Sequence, residues 1–196
     1  DALVVNPGSS LLKRLRAIKE PTHIFARQNA GSELLQLILA MRPNQWAKNL
    51  LMVVPMVMAH EIANGQLWVQ LTLGFVAFSF CASSVYILND LLDLDADRAH
   101  PSKKCRPLAS GRLWISHGLV AAPALLLIGI AVAGAMSEPY LFLRWLVAYL
   151  ILTFSYSLYL KQKMIVDVLV LAGLYTIRIV AGGQATGLFP TEWLMA

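Results

Sequence analysis

The run Asn89-Asp90-Leu91-Leu92-Asp93-Leu94-Asp95-Ala96-Asp97 closes a long apolar stretch and is followed at once by Lys103, Lys104 and Arg106. If the run is helical, turning about 100° per residue, Asp90, Asp93 and Asp97 fall within roughly 60° of one another and point into one volume. Carboxylates gathered that way repel unless a cation lies between them. An oxygen-only donor set suits Mg2+, which keeps some of its waters and bridges protein carboxylates to phosphate oxygens. The basic residues just downstream would hold the rest of such a phosphate, with Lys103 and Arg106 as the better clamps and Arg112 as a topology anchor. Asp95 falls on the opposite side and is expected to be solvated. A solvated acidic helix end, neutralised by its basic neighbours, is the plain alternative. The one-faced spacing, the preceding Asn89 and the place at the end of an apolar stretch weigh against it.

Two other stretches carry chemistry. Met41-Arg42-Pro43-Asn44-Gln45-Trp46-Ala47-Lys48-Asn49 sets two cations and three amides at the mouth of an apolar segment. Arg42, Lys48 and Asn49 are read as substrate-binding, whereas Trp46 is equally well explained as a membrane-interface residue. The second stretch begins at Tyr156-Ser157-Leu158-Tyr159-Leu160-Lys161 and continues to Asp167 and Arg178. Asp167 and Arg178 are eleven residues apart and so return almost to one helix face, which is expected to point inward. Charges inside a membrane default to function, although polar neighbours on other helices could satisfy both purely for packing. Gly182-Gly183 and Gly187 are expected to break or loosen the helix end.

The elements that must position these residues follow from composition. Of 196 residues, 58% are hydrophobic and 14% charged, and the mean hydropathy is +0.62. That balance excludes an ordinary soluble domain and implies an all-α, polytopic transmembrane bundle. Spans are expected at 46–60, 68–88, 118–136, 140–157 and 164–181, each near the length that crosses about 30 Å of hydrocarbon. The first is short and could extend back through Leu35–Met41 with a kink at Pro43. Trp193-Leu194-Met195-Ala196 reads as the start of a sixth span, so the chain is expected to stop in mid-fold.

Lys and Arg mark the cytoplasmic loops. They cluster before the first span, between the second and third, and at Lys161 and Lys163, while the intervening connections are nearly free of them. The amino-terminal tail, the Asp run and the Lys161 loop therefore come out cytoplasmic, in a protein of the inner (plasma) membrane. The net charge of +5 reflects this orientation and phosphate binding, and no nucleic-acid module is discernible. Cys81 and Cys105 have neither metal-ligand spacing nor the makings of a disulfide framework.

Asn89-Asp90-x-x-Asp93-x-x-x-Asp97 resembles the first acidic motif of the UbiA superfamily of intramembrane prenyltransferases. Arg42-Pro43-x-Gln45-Trp46-x-Lys48-Asn49, Asp97-Arg98-x-His100-Pro101-x-Lys103, Arg106-Pro107, Tyr156-x-x-x-Leu160-Lys161 and Arg178-x-x-Ala181-Gly182-Gly183 sharpen the likeness to the decaprenyl-phosphate phosphoribosyltransferase branch. The resemblance covers residue 36 to the end. It implies a helical bundle around a central cavity, with Mg2+ and a phosphorylated substrate held at the cytoplasmic face. Its reaction would be transfer of 5-phosphoribosyl from phosphoribosyl pyrophosphate to a polyprenyl phosphate. In that reading Asp90, Asp93 and Asp97 hold the metal and are catalytic, and Arg42, Lys48, Asn49, Asn89, Lys103, Arg106, Tyr156, Lys161, Asp167 and Arg178 bind substrate. The second motif of the superfamily would begin beyond Ala196, so activity is expected of the parent chain and not of these residues alone. The alternatives are a prenyltransferase carrying a polyprenyl group to an aromatic or quinone-precursor acceptor, and a cation-binding transporter or scaffold.

Residues 1–33 read as a cytoplasmic tail, with 34–196 a partial transmembrane domain. Ala2-Leu3-Val4-Val5-Asn6-Pro7, then Leu11, Leu12 and Leu15, resembles the closing strand and helix of haloacid-dehalogenase-type phosphatases. That resemblance implies a phosphatase fused ahead of the transferase; an ordinary juxtamembrane tail is the alternative.

Overall fold

The structure is a computed structural model that describes residues 3–5, 13–14, 17, 23–25, 33–156 and 164–188; at 3–5, 23–25, 164, 165 and 167 it describes the backbone and not the side chain. Outside the bundle, two short strands, β1 (Leu3–Val5) and β2 (His23–Phe25), pair in parallel with Leu3 opposite His23. Lys13, Arg14 and Ala17 between them are helical. The helices are α1 (Glu33–Met41), a 3-10 stretch Pro43–Val53, α2 (Val54–Met58), α3 (Gly65–Leu92), α4 (Leu94–Ala99), a 3-10 turn Lys103–Cys105, α5 (Ile115–Gly134), α6 (Pro139–Ser155) and α7 (Met164–Thr186).

Among the described residues three helices are long and apolar enough to cross a membrane, Gly65–Leu92, Ile115–Gly134 and the Val168–Thr186 part of α7, and Pro139–Ser155 is a shorter apolar helix. These match four of the expected spans, and the protein is an integral membrane protein. The expected span 46–60 is built differently. The chain breaks at Arg42–Pro43, then runs as eleven residues of 3-10 helix into the five-residue α2. The break falls at the proline foreseen as a kink, because Pro43 cannot donate the backbone bond that would continue α1. A 3-10 helix rises about 2.0 Å per residue, so Pro43–Met58 reaches about 30 Å, a membrane thickness that sixteen α-helical residues would miss by about 6 Å.

Long α3 is the axis of the bundle. Its Phe78 packs edge-on to Phe142 of α6 and tilted against Tyr149, with centroids 5.7 and 5.1 Å apart. Small residues set the closest helix approaches, as expected where lipid removes the hydrophobic drive for association. A Cβ on Gly129 of α5 would lie 2.9 Å from the carbonyl oxygen of Ala77, and one on Gly182 of α7 would lie 2.0 Å from that of Met52. The glycines therefore act differently from the expectation. Helix α7 runs unbroken through Gly182 and Gly183 and ends at Gly187, whose φ of 70° closes it. Gly182 serves close packing instead.

Candidate active site

The expected single helix through the Asp run is interrupted at one residue. Asp93, with φ −91° and ψ 13°, ends α3 and precedes α4. Extrapolating 100° per residue therefore fails beyond it, and among the described residues no three carboxylate, histidine or cysteine side chains converge closely enough to enclose a metal. Asp90 and Asp97 do converge. They are 2% and 1% exposed, and the same Nη1 of Arg106 donates to Asp90 Oδ1 at 3.1 Å and to Asp97 Oδ2 at 2.5 Å. Arg42 Nη2 donates to Asp90 Oδ1 at 2.5 Å, and Lys103 Nζ lies 4.0 Å from Asp97 Oδ1. Asp93 is half-buried at the helix break, and Asp95 is solvated, paired loosely with Arg98 at 3.7 Å.

Local structure aims each cation. Arg42 occupies the left-handed region, φ 54° and ψ 61°, directly before a proline. A non-glycine residue there costs on the order of 1–3 kcal/mol, so its neighbours must enforce the geometry that carries its guanidinium to Asp90. The same guanidinium stacks over Tyr86, 5.1 Å from the ring centroid. Arg106 is aimed by a tight loop. Leu108 and Leu113 are buried against Ala40, Ile87 and Ala122, the Leu113 amide donates to the Pro107 carbonyl at 2.9 Å, and Gly111 turns the chain with φ 74°. Arg112, read as an anchor, instead braces this loop by donating to the Cys105 carbonyl and to Ser110 Oγ. His100 Nδ1 accepts from the Ser102 and Lys103 amides and shapes the approach.

A cavity of about 180 Å³ adjoins this cluster, lined by Lys48, Tyr86, Asn89, Tyr149, Tyr156 and Arg178 among others. Arg178 is 4% exposed. Its Nε donates to Asn49 Oδ1 at 3.0 Å, Nη1 to the Leu174 carbonyl at 2.5 Å and Nη2 to the Tyr149 hydroxyl at 3.4 Å, and its guanidinium lies 4.9 Å from the Tyr149 ring centroid. Asn49 in turn donates to Ser79 Oγ at 3.0 Å. It is thus a buried strut for Arg178. Trp46 turns inward, its Nε1 donating to Ser83 Oγ at 3.1 Å, while Ser83 donates to the Met41 carbonyl at 2.9 Å.

The structure therefore sorts the expected residues into two adjoining groups: Arg42, Asp90, Asp97, Lys103 and Arg106 in the charged cluster, and Lys48, Asn89, Tyr156 and Arg178 around the cavity. Lys161 lies outside the described residues. For Asp167 the backbone is described, within α7, and its side chain is not. Tyr86, Tyr149 and Tyr175 line the cavity and were missed. Tyr86 could have been found, since it lies three residues before Asn89 and four before Asp90 and so shares their face. The serines at 79 and 83 carried no signal beyond small polar side chains inside a span.

Comparison with known proteins places these motifs. The UbiA prenyltransferase family profile matches residues 50–196. An uncharacterized protein of Sinorhizobium fredii is 37% identical over 156 residues, 80% of this chain and 30% of that protein. The decaprenyl-phosphate phosphoribosyltransferase of Mycobacterium tuberculosis is 34% identical over 168 residues, 81% of this chain and 53% of that protein. A protein of the same name from Corynebacterium glutamicum is 30% identical over 161 residues, 81% of this chain and 48% of that protein. The chain spans about half the length, or less, of these curated relatives.

Proposed function

The chain belongs to the UbiA prenyltransferase family, and from that premise we propose that its parent protein transfers a 5-phosphoribosyl group from phosphoribosyl pyrophosphate to a polyprenyl phosphate. The observation that carries this reading is the convergence of buried Asp90 and Asp97 on one nitrogen of Arg106, with Arg42 and Lys103 beside them. The motifs held there are those that resemble the phosphoribosyl branch, and relatives bearing that name match over 81% of the chain.

The donor set fits a divalent cation. Mg2+ is commonly held by one or two carboxylates together with waters and substrate phosphates, and here two carboxylates already face a common positive charge. Asp90 and Asp97 would hold the ion, with Asp93 at the adjacent helix break, and once bound it would neutralise charge developing on a leaving pyrophosphate. Arg42, Lys103 and Arg106 would clamp the same anion, the arginines through paired N–H groups. As the anomeric C–O bond breaks, its electron pair leaves with pyrophosphate. A phosphate oxygen of the lipid then forms the new bond to the anomeric carbon. That oxygen is already anionic, so no strong general base is required. Lys48, Asn89, Tyr156 and Arg178 would position substrate around the cavity, with Asn49 acting through Arg178; Lys161 and Asp167 belong to the same proposal by sequence.

The charged cluster would open to the cytoplasm, because the basic loops lie on its side. The test is the full parent protein in liposomes with labelled phosphoribosyl pyrophosphate, Mg2+ and a polyprenyl phosphate, following label into the organic phase. Mg2+-dependent lipid-linked ribose phosphate is the expected result. No transfer, with turnover of polyprenyl diphosphate and an aromatic acceptor instead, would move the protein to the prenyl-transferring reading.

For residues 1–33 we propose the end of a phosphatase-like domain plus a linker. A parallel strand pair with helical residues between it requires a crossover connection, as in α/β domains. The match to the Sinorhizobium protein takes up only 30% of that relative, leaving room for a further domain there. An upstream coding region without an Asp-x-Asp nucleophile motif would sink this proposal.

A further inference from the structure

A second cavity, of about 450 Å³ and within the size range of small-molecule sites, lies at the end of the bundle opposite the carboxylates. Gln66 and Gln70 of α3 line it, and Asp90 follows Gln70 by 20 residues of that helix, about 30 Å or one membrane thickness away. Facing them are Ser137 and Glu138 at the start of α6 and Gln184–Gly187 at the end of α7. Trp68 and Tyr140, both exposed, are close to these residues in the chain and are of the types that settle at lipid-headgroup depth. Gln184 is 9% exposed, and its side chain has no hydrogen-bond partner among the described residues although it lines the cavity. A buried amide left unbonded is costly, and a polar ligand would relieve that cost. The charge of the lining has one sign: Glu138 is its charged residue, and α7 brings the negative end of its dipole there at Thr186. No Lys, Arg or His lines the cavity among the described residues, and residues 189–196 contain none. Lys161 and Lys163 precede the other end of α7. Arg144, six residues past Glu138, falls about 120° round α6 from it, and its guanidinium lies 5.9 Å from the Trp145 ring centroid. The amino end of α3 could attract an anion but is already capped, Asn64 Oδ1 accepting from the Gln66 amide at 3.2 Å.

An apolar groove of about 270 Å³ continues from this cavity. It shares Val69 with the cavity and is walled by Trp68, Thr72 and Leu73. Thr72 turns its hydroxyl back onto the Trp68 carbonyl at 2.8 Å, so the groove presents little polarity. We propose that cavity and groove together hold one phospholipid with a primary-ammonium headgroup, the ammonium in the cavity and an acyl chain along the groove. An ammonium brings three N–H donors, which the Glu138 carboxylate, the Gln184 amide oxygen and the last carbonyls of α7 can accept. A trimethylammonium head has no N–H to donate. An anionic head would face a carboxylate and the negative end of a helix. The lipid phosphate would stay at the rim in water, and the chain would gain from the wall of Val69 and Leu73. Such a lipid would brace the ends of α3, α6 and α7 against one another. It takes no part in the transfer proposed above, and the two proposals stand or fall separately.

The test is native mass spectrometry of the purified full-length parent protein in detergent, titrated with phosphatidylethanolamine, phosphatidylcholine and phosphatidylglycerol of identical acyl chains. One phosphatidylethanolamine is expected to be retained at least fivefold more tightly than either of the others. Glu138→Gln and Gln184→Leu should each cut that preference at least threefold, and Asp95→Asn, at the other end of the bundle, should leave it unchanged. Gln184 is packed within the bundle and its variant can fail to fold, so Glu138→Gln, on an exposed residue, carries the decision. Equal retention of the three lipids, a preference unchanged in Glu138→Gln, or no retained lipid because the remainder of the parent chain fills the cavity would each overturn the proposal. Displacement by an equal concentration of free phosphoethanolamine would assign the cavity to a soluble amine and overturn the lipid.

Discussion

Arg178 Nε donates to Asn49 Oδ1 over 3.0 Å, tying α7 to the 3-10 stretch across 129 residues of sequence. Two opposite outcomes are expected from changing the acceptor. Asn49→Ala leaves Arg178 Nε without an acceptor and Ser79 without a donor, a loss of about 1–3 kcal/mol that thermal melting of the full-length protein in detergent would register. Asn49→Asp still accepts from Arg178 Nε and can accept from the Ser79 hydroxyl in place of donating to it, while supplying a counter-charge. It should therefore melt near wild type yet lower turnover by the parent protein. Wild-type turnover in Asn49→Asp would count against a role for the Arg178 charge in binding substrate.

Asp90→Asn is expected to abolish turnover by the parent protein with insertion in the membrane unchanged. The substitution leaves Arg42 and Arg106 facing a neutral amide and removes one of the two convergent carboxylates. Asp95→Asn, on a side chain that is 100% exposed, should stay within twofold of wild type. Equal rates in the two variants, read in the labelled-substrate assay, would separate the acidic run from the chemistry.

Gly182→Ala should be among the most damaging small substitutions in the bundle. Its Cβ would lie 2.0 Å from the Met52 carbonyl oxygen, which is backbone and cannot rotate away. Forced separation of packed helices costs about 1–3 kcal/mol or more, which would appear as lost folded yield and a lowered melting temperature. Gly134→Ala, with nothing within 4 Å of the added carbon, serves as the tolerated counterpart.

Trp46→Phe tests whether this residue is an interface anchor or an internal strut. Loss of the bond to Ser83 Oγ is expected to cost roughly 0.5–1.5 kcal/mol of stability. An unchanged melting temperature would return Trp46 to the membrane interface.

The helical membrane class was legible from composition and hydropathy because lipid permits few backbone solutions, and a chain this apolar leaves little else. Four spans were located on the same ground. The spacing of Asn89, Asp90 and Asp97, the pairing of Arg42 with Pro43 and the basic loop at Lys103–Arg106 were likewise readable, since motif residues and prolines act over a few positions. Asp93 was misplaced because a one-residue break in a helix leaves no mark on hydrophobic periodicity. The break lies between Asp90 and Asp97, the two carboxylates that Arg106 joins from a distant loop, and such a contact is not local in sequence. The 3-10 stretch was equally hidden, because a stretched backbone answers to span length and to close approach at Gly182, neither of which is local. Sequence alone thus determined which charged residues enter the bundle. Only the tertiary structure decided which of them neutralise one another and which line the cavity, because that depends on contacts between residues as distant as Asn49 and Arg178.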